Sequence, residues 1–147
     1  MKIYIDADAC PVIPIVLRVA KEKSIPVILV YDTSHVFNSS YCETIIVDKG
    51  ADSADFKLVA LVSSGDIVVT QDYGVAAMVL GKGGHPIHQS GKWYTNENID
   101  IMMMERDIAK RERRKNAKNH LKGPKKRTIN DDLRFEEKLR ELIVYSV

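Results

Sequence analysis

The sequence predicts an α/β domain with a mainly parallel sheet covered by helices on both faces. Three observations predict it. Short runs rich in Val and Ile alternate with stretches of helical period through about residue 88. The strand-like runs are nearly continuously apolar, as strands buried on both faces require. Acids and turn formers gather where each run gives way to the next helical stretch, and right-handed crossovers then join the strands.

The first strand spans residues 2–5, and Pro11 opens a helix reaching about residue 23. Residues 26–31 form the second strand, residues 32–40 a polar loop, and residues 43–47 the third strand. A helix over 53–63 begins at Asp-Ser-Ala-Asp, and a fourth strand covers 66–70. A short helix over 73–80 stops in the glycines of 81–84, and a fifth strand covers 85–88. Beyond Trp93 a long helix is expected over 97–119, with Ile99, Ile101, Met102, Met103 and Ile108 in its apolar part. Gly123-Pro124 breaks it, and residues 130–145 form a last helix with Leu133, Leu139, Leu142 and Ile143 apolar. The expected organisation is a single domain over 1–147, divided into an α/β core over 1–95 and a helical, basic extension over 96–147 that either packs on the sheet or protrudes.

A chain of 147 residues, 45% apolar and 29% charged, suits one folded domain and not a disordered one. At this size folding hides roughly 70% of the unfolded surface, so a core forms without disulfides. No run approaches the roughly 20 apolar residues that span a bilayer, and the N-terminal stretch lacks an export signal. A cytoplasmic protein without a membrane partner is expected. Cys10 and Cys42 have no CxxC partner and read as small packing residues. His85 and His88, separated by Pro-Ile, read as a short strand with its flanks and not as a metal clip.

Net charge is +2, but it is unevenly spread. From Glu105 to Arg127 there are eleven Lys or Arg against three acids, which leaves the rest of the chain acidic. Such a field suits a nucleic acid backbone, with Arg111, Arg113, Arg114, Lys115, Lys125, Lys126 and Arg127 as the contacts. Trp93 and Tyr94, just upstream, are candidates to stack on a base or to serve as core and rim residues.

The acids carry the chemistry. Asp6, Asp8, Asp52, Asp55 and Asp72 all fall at strand-to-helix junctions, the functional edge of an open α/β sheet. Asp6 and Asp8 are two apart, so in extended chain they face one side. Two carboxylates about 5 Å apart repel by roughly 3 kcal/mol at an effective dielectric near 20. Mg or Mn relieves that repulsion and activates water for attack on phosphorus. If the first and fourth strands are neighbours, Asp6, Asp8 and Asp72 meet in one crevice as catalytic residues, and all five acids form a metal-binding set. Helix capping is the competing role for Asp52, Asp55 and Asp72. Ser53 and Thr70 read as turn or cap residues at the rim. Gly74 to Gly81-Lys82 has the wrong spacing for a P-loop, and neither GxGxxG after the first strand nor a GxSxG elbow occurs.

Four segments, "DADACPV", "GADSADF", "VTQDYGVAAMVLGKG" and "GPKKRTINDDLRFEEKL", occur in this order along the chain. In them the sequence resembles the uncharacterised bacterial YaiI/YqxD family, regarded as similar to the PIN and NYN superfamily. That resemblance implies a three-layer α/β/α PIN-like domain with an acidic Mg or Mn cluster, formed here by Asp6, Asp8, Asp52, Asp55 and Asp72, and a metal-dependent nuclease acting on RNA. The Asp6-Ala7-Asp8 doublet and the basic extension depart from the usual PIN pattern. Two other readings stay open: a nucleic-acid-binding module without turnover, and a small-molecule phosphatase in which Asp6-x-Asp8 resembles the haloacid dehalogenase pattern. The sequence leaves a homo-oligomer open.

Overall fold

The computed structural model describes residues 1–7, 10–31, 41–47, 53–115 and 126–147. Five strands, β1 (Ile3–Asp6), β2 (Val27–Tyr31), β3 (Cys42–Ile46), β4 (Ile67–Val69) and β5 (His85–Ile87), form one sheet in the order β3-β2-β1-β4-β5. Every pairing is parallel. Five helices complete the described fold: α1 (Ile13–Glu22), α2 (Ser53–Leu61), α3 (Tyr73–Gly81), α4 (Ile99–Lys115) and α5 (Ile129–Ser146). No helix among the described residues is long and apolar enough to cross a membrane.

Strand alternation assigns the helices to layers. Ile3 and Ile5 of β1, with Val27, Leu29, Ile67 and Val69, face a core built with α1 and α5, including Phe135 and Leu139. Tyr4, Ile28, Val30 and Val68 face the other way, onto Leu58 of α2 and Val75 and Val79 of α3. The result is a three-layer α/β/α sandwich. Burying side chains of this kind stabilises by about 1.5–3 kcal/mol each, offset by ordering entropy.

The C-terminal segment divides. Its last helix, α5, supplies Phe135, Leu139, Leu142 and Ile143 to the main core and so completes the sandwich. Leu133, expected on the apolar face, is exposed. In α4 only Ile99 and Met102 are buried, against Ala76 and Tyr94, whereas Ile101, Met103 and Ile108 are exposed. Beyond its first turns α4 stands in solvent, basic end last.

Local chemistry sets the boundaries. Pro11 lies in a turn and not in the first helical turn; α1 starts at Ile13, where Pro14 fills the position that needs no intrahelical N–H donor. Pro86 is tolerated in β5 because this edge strand pairs with β4 alone among the strands, and Tyr94 N–H donates to its carbonyl at 3.1 Å. Gly83, at φ +80, ends α3: its N–H returns to Leu80 O and that of Gly84 to Val79 O, both at 3.0 Å.

Ion pairs Arg18–Glu136 and Glu22–Arg140 run along the α1–α5 seam. Successive partners are four residues apart on both helices, so α1 and α5 lie parallel. Because α1 follows β1, both helices begin at the carboxyl edge of the sheet.

Candidate active site at the carboxyl edge of the sheet

The strand order places the switch point between β1 and β4. From β1 the chain steps outward to β2 and β3, then returns across the sheet to β4 on the other side. At such a point the crossovers diverge and leave a crevice beyond the strand ends. Asp6 closes β1, and Thr70 and Asp72 follow β4, so the expected neighbour relation holds for these two acids.

Alternation turns Asp6 and Thr70 toward the α2/α3 face, and the Thr70 hydroxyl donates to Asp6 Oδ2 at 3.1 Å. Thr70 Oγ1 also accepts from the Asp72 backbone N–H at 3.0 Å. One buried hydroxyl therefore ties the two strand ends together. Asp72 is the N-cap of α3: Oδ1 accepts from Gly74 N at 2.7 Å and Val75 N at 3.1 Å. Its capping role is real, and its Oδ2 has no bond to another described residue. Asp55 sits in the first turn of α2, a helix that enters from the same edge. Asp8 and Asp52 lie outside the described residues, as does Lys125. Among the described residues no three His, Cys, Asp or Glu side chains converge to hold a metal ion.

An aromatic wall supports this edge. Tyr94 is buried and donates its hydroxyl to Thr70 O at 3.1 Å; Tyr73 meets its ring edge-on at 5.7 Å between centroids. Burial, with Tyr73 and Asp72 nearby, pushes the Tyr94 phenol up, and Arg106 opposes the shift. Tyr94 is thus a core residue, closed to a stacking base. The half-buried Trp93 donates its indole N–H to Lys138 O at 3.1 Å and packs beside Tyr145. Arg106 lies over the Tyr73 ring at 5.5 Å, a cation–π contact beside the Asp72 cap.

Cys10 packs against the α1/α5 core, whereas the His88 ring meets that of Tyr94 edge-on at 6.1 Å; Arg127 precedes α5 and acts electrostatically on both. Burial raises the Cys10 thiol to about 11, helped by Asp6 and opposed by a Val12 backbone hydrogen bond and Arg127. It is a neutral thiol at pH 7, packed against the core as its sequence context suggested. Burial, then Arg127 and Lys92, lower His88. Its Nδ1 accepts from Ser90 N at 3.0 Å, which places the ring proton of neutral His88 on Nε2.

Of the basic residues expected to meet nucleic acid, Arg111, Arg113, Arg114 and Lys115 are exposed on α4 and make no ion pair with another described residue. Lys126 is also exposed. Arg127 differs: Asp132 binds its Nε at 2.6 Å, while Nη2 is shut off from solvent with no hydrogen-bond partner among the described residues. Gln89 Oε1 is in the same state, one residue past His88. A buried polar atom left unmet costs about 1–3 kcal/mol, so both report on something the fold alone does not satisfy. A separate cavity of about 450 Å³ lies toward the opposite, amino end of β5, between His85, Trp93, Glu97 and Tyr145. It holds none of the five acids.

The profile of the family described as "Uncharacterized BCR, YaiI/YqxD family" matches residues 4–145. The chain belongs to the YaiI/YqxD family. It is 62% identical over 144 residues to a UPF0178 protein of Clostridium acetobutylicum, covering 98% of this chain and 97% of that one. A UPF0178 protein of Lachnoclostridium phytofermentans is 54% identical over 144 residues, with 97% of each chain covered. One from Exiguobacterium sibiricum is 45% identical over 143 residues, covering 97% of this chain and 96% of its own. No solved structure matches the chain. These YaiI/YqxD relatives carry a family label and no named reaction.

In sequence Thr70 reads as a rim residue, and Arg106 is one of the eleven cations between Glu105 and Arg127. The Thr-x-Asp spacing before a helix was the available signal for Thr70, since a hydroxyl two residues before a cap can receive its N–H. Nothing local marks Arg106, Gln89 or the distinct environment of Arg127.

Proposed function

We propose that this chain is a divalent-metal-dependent nuclease that hydrolyses phosphodiester bonds, with RNA as its substrate. One observation carries the reading: Asp6 and Asp72 leave neighbouring strands at the topological switch point and are joined through Thr70. In kind, the oxygens there fit Mg or Mn, being carboxylate and hydroxyl groups with the nearby Cys10 thiol kept neutral. Asp6 and Asp72 would hold the ion, with Asp8, Asp52 and Asp55 as the further acids. When bound, such an ion neutralises phosphate charge and lowers the pKa of water.

The chain's own groups prepare the site. Thr70 fixes the Asp6 carboxylate and the α3 cap fixes that of Asp72, so neither must be ordered when substrate arrives. The amino ends of α1, α3 and α5 face this edge, and their dipoles favour phosphate. The exposed cations of α4 extend a positive surface along which a nucleic acid backbone can lie. The RNA preference follows from the likeness of the sequence to the PIN and NYN superfamily.

The test offers purified protein a single-stranded oligoribonucleotide, its DNA counterpart and a phosphate monoester, each with Mg, Mn or EDTA. Metal-dependent cleavage of RNA, reduced roughly a hundredfold or more in Asp6→Asn, is expected. Turnover of the monoester alone would favour the phosphatase, and binding without any turnover would favour the non-catalytic module.

A further inference from the structure

Seven basic residues were expected to grip nucleic acid as a solvated field, but Arg127 is held in place. The Thr128–Asp131 capping box fixes the start of α5 immediately after it, with Thr128 N donating to Asp131 Oδ2 at 2.8 Å. Asp132, one turn into that helix, grips Nε at 2.6 Å. The guanidinium is therefore oriented from the protein side, and its buried Nη2 has no acceptor among the described residues.

The seam between α1 and α5 says at which edge of the sheet that guanidinium lies. Arg18 pairs with Glu136 across a sequence offset of 118, and Glu22 with Arg140 follows the same register. Because the two helices run parallel, Arg127, just before the start of α5 at Ile129, lies at the same carboxyl edge as the start of α1 at Ile13. Its electrostatic influence on Cys10 and on His88, at the end of β5, agrees with that position. Between β1 and β5 in the sheet lies β4, whose end carries Thr70 and Asp72. The second unmet buried atom, Gln89 Oε1, belongs to the loop leaving β5. Turned over, the same amide presents its NH2 group. A fixed guanidinium, with a buried N–H group unmet, at the edge where the acids gather is built for an anionic oxygen.

We propose that Arg127 anchors a phosphate group of the substrate, its Nη2 donating to a non-bridging oxygen of a phosphate bound over the carboxyl ends of β1 and β4. The proposal rests on the nuclease reading for the identity of that phosphate. It makes Arg127 a substrate-binding residue of the crevice, distinct in role from Arg111, Arg113 and Arg114, which act through general charge.

The test has a binding arm and a turnover arm. A fluorescent single-stranded oligoribonucleotide is titrated in EDTA against wild type, Arg127→Gln, Arg127→Lys and Arg113→Gln, with inorganic phosphate as competitor. Arg127→Gln is expected to weaken binding about tenfold or more. Arg127→Lys, with charge but no fork, should recover only part of the loss. Arg113→Gln should chiefly lower the salt slope, by roughly 0.7. In the turnover arm with Mn, Arg127→Gln should raise KM more than it lowers kcat. Competition by free phosphate would mark a site for any phosphate, and its failure with oligonucleotide binding intact would mark one for the diester; either supports the anchor. Wild-type cleavage with KM and affinity unchanged in Arg127→Gln overturns the anchor and leaves the nuclease standing. Arg127-dependent binding without cleavage overturns the nuclease and leaves the anchor. If Arg127→Gln does not fold, Arg127→Lys decides: unchanged affinity overturns the proposal.

Discussion

The Thr70 hydroxyl donates to Asp6 Oδ2 at 3.1 Å while accepting the Asp72 backbone N–H at 3.0 Å. A single buried side chain thus couples the ends of β1 and β4 at the point where the crossovers diverge. Thr70→Val keeps the volume but removes both bonds, leaving a carboxylate oxygen and a backbone N–H without this partner. Urea unfolding should show a loss of about 1–3 kcal/mol, and Thr70→Ser should restore most of it. Equal stability of Val and Ser variants would mean that the hydroxyl holds nothing together.

Asp72 caps α3, and the proposed nuclease gives its charge a second, separable duty. Asn caps helices as well as Asp does, so Asp72→Asn should keep the α3 cap and remove only the charge, whereas Asp72→Ala should cost about 1 kcal/mol. Thermal melts read the first duty and oligonucleotide cleavage the second. Asn should melt near wild type and be inactive; an active, stable Asn variant would confine Asp72 to capping.

Cys10 should be an inert thiol. With its pKa raised to about 11, only a very small fraction is thiolate at pH 8, so alkylation by iodoacetamide should be slow and should accelerate with rising pH. Arg127→Gln, which removes a charge favouring the thiolate, should slow it further. Cys10→Ala should leave cleavage intact, and its loss there without loss of fold would give the thiol a chemical role.

His88 should titrate below 6.5, because burial and the charges of Arg127 and Lys92 disfavour imidazolium. The unfolded chain then binds the proton more readily than the folded one. Stability therefore declines as pH falls from about 6.5 toward the folded value, and this contribution is flat below it. A ring-proton NMR titration of wild type and Arg127→Gln checks the cause: the variant should titrate higher. No movement would place Arg127 away from His88.

Much of the fold was written in short-range patterns. Alternating apolar runs and helical stretches gave five strands and the core helices, and Asp6 and Asp72 were legible as acids that leave neighbouring strand ends. Four features were not legible there. Pro11 and Pro14 both suit an early helical position, and only packing selects Ile13 as the start. Apolar residues of α4 such as Ile101 and Ile108 look like core in sequence but face solvent, because only the start of that helix meets α3. Tyr94, beside an indole and next to a basic run, looked available for stacking, yet it closes the core by bonding Thr70 O across 24 residues. Arg127 reads as one cation among many, and only Asp132 and the start of α5 fix it at the carboxyl edge.

The most direct measurement is anomalous diffraction from a crystal soaked in Mn. Catalysis at the switch point predicts a peak bounded by the carboxylates of Asp6 and Asp72, absent from Asp6→Asn crystals under the same conditions. A wild-type map with no peak there at millimolar Mn, or with Mn bound elsewhere alone, would contradict it.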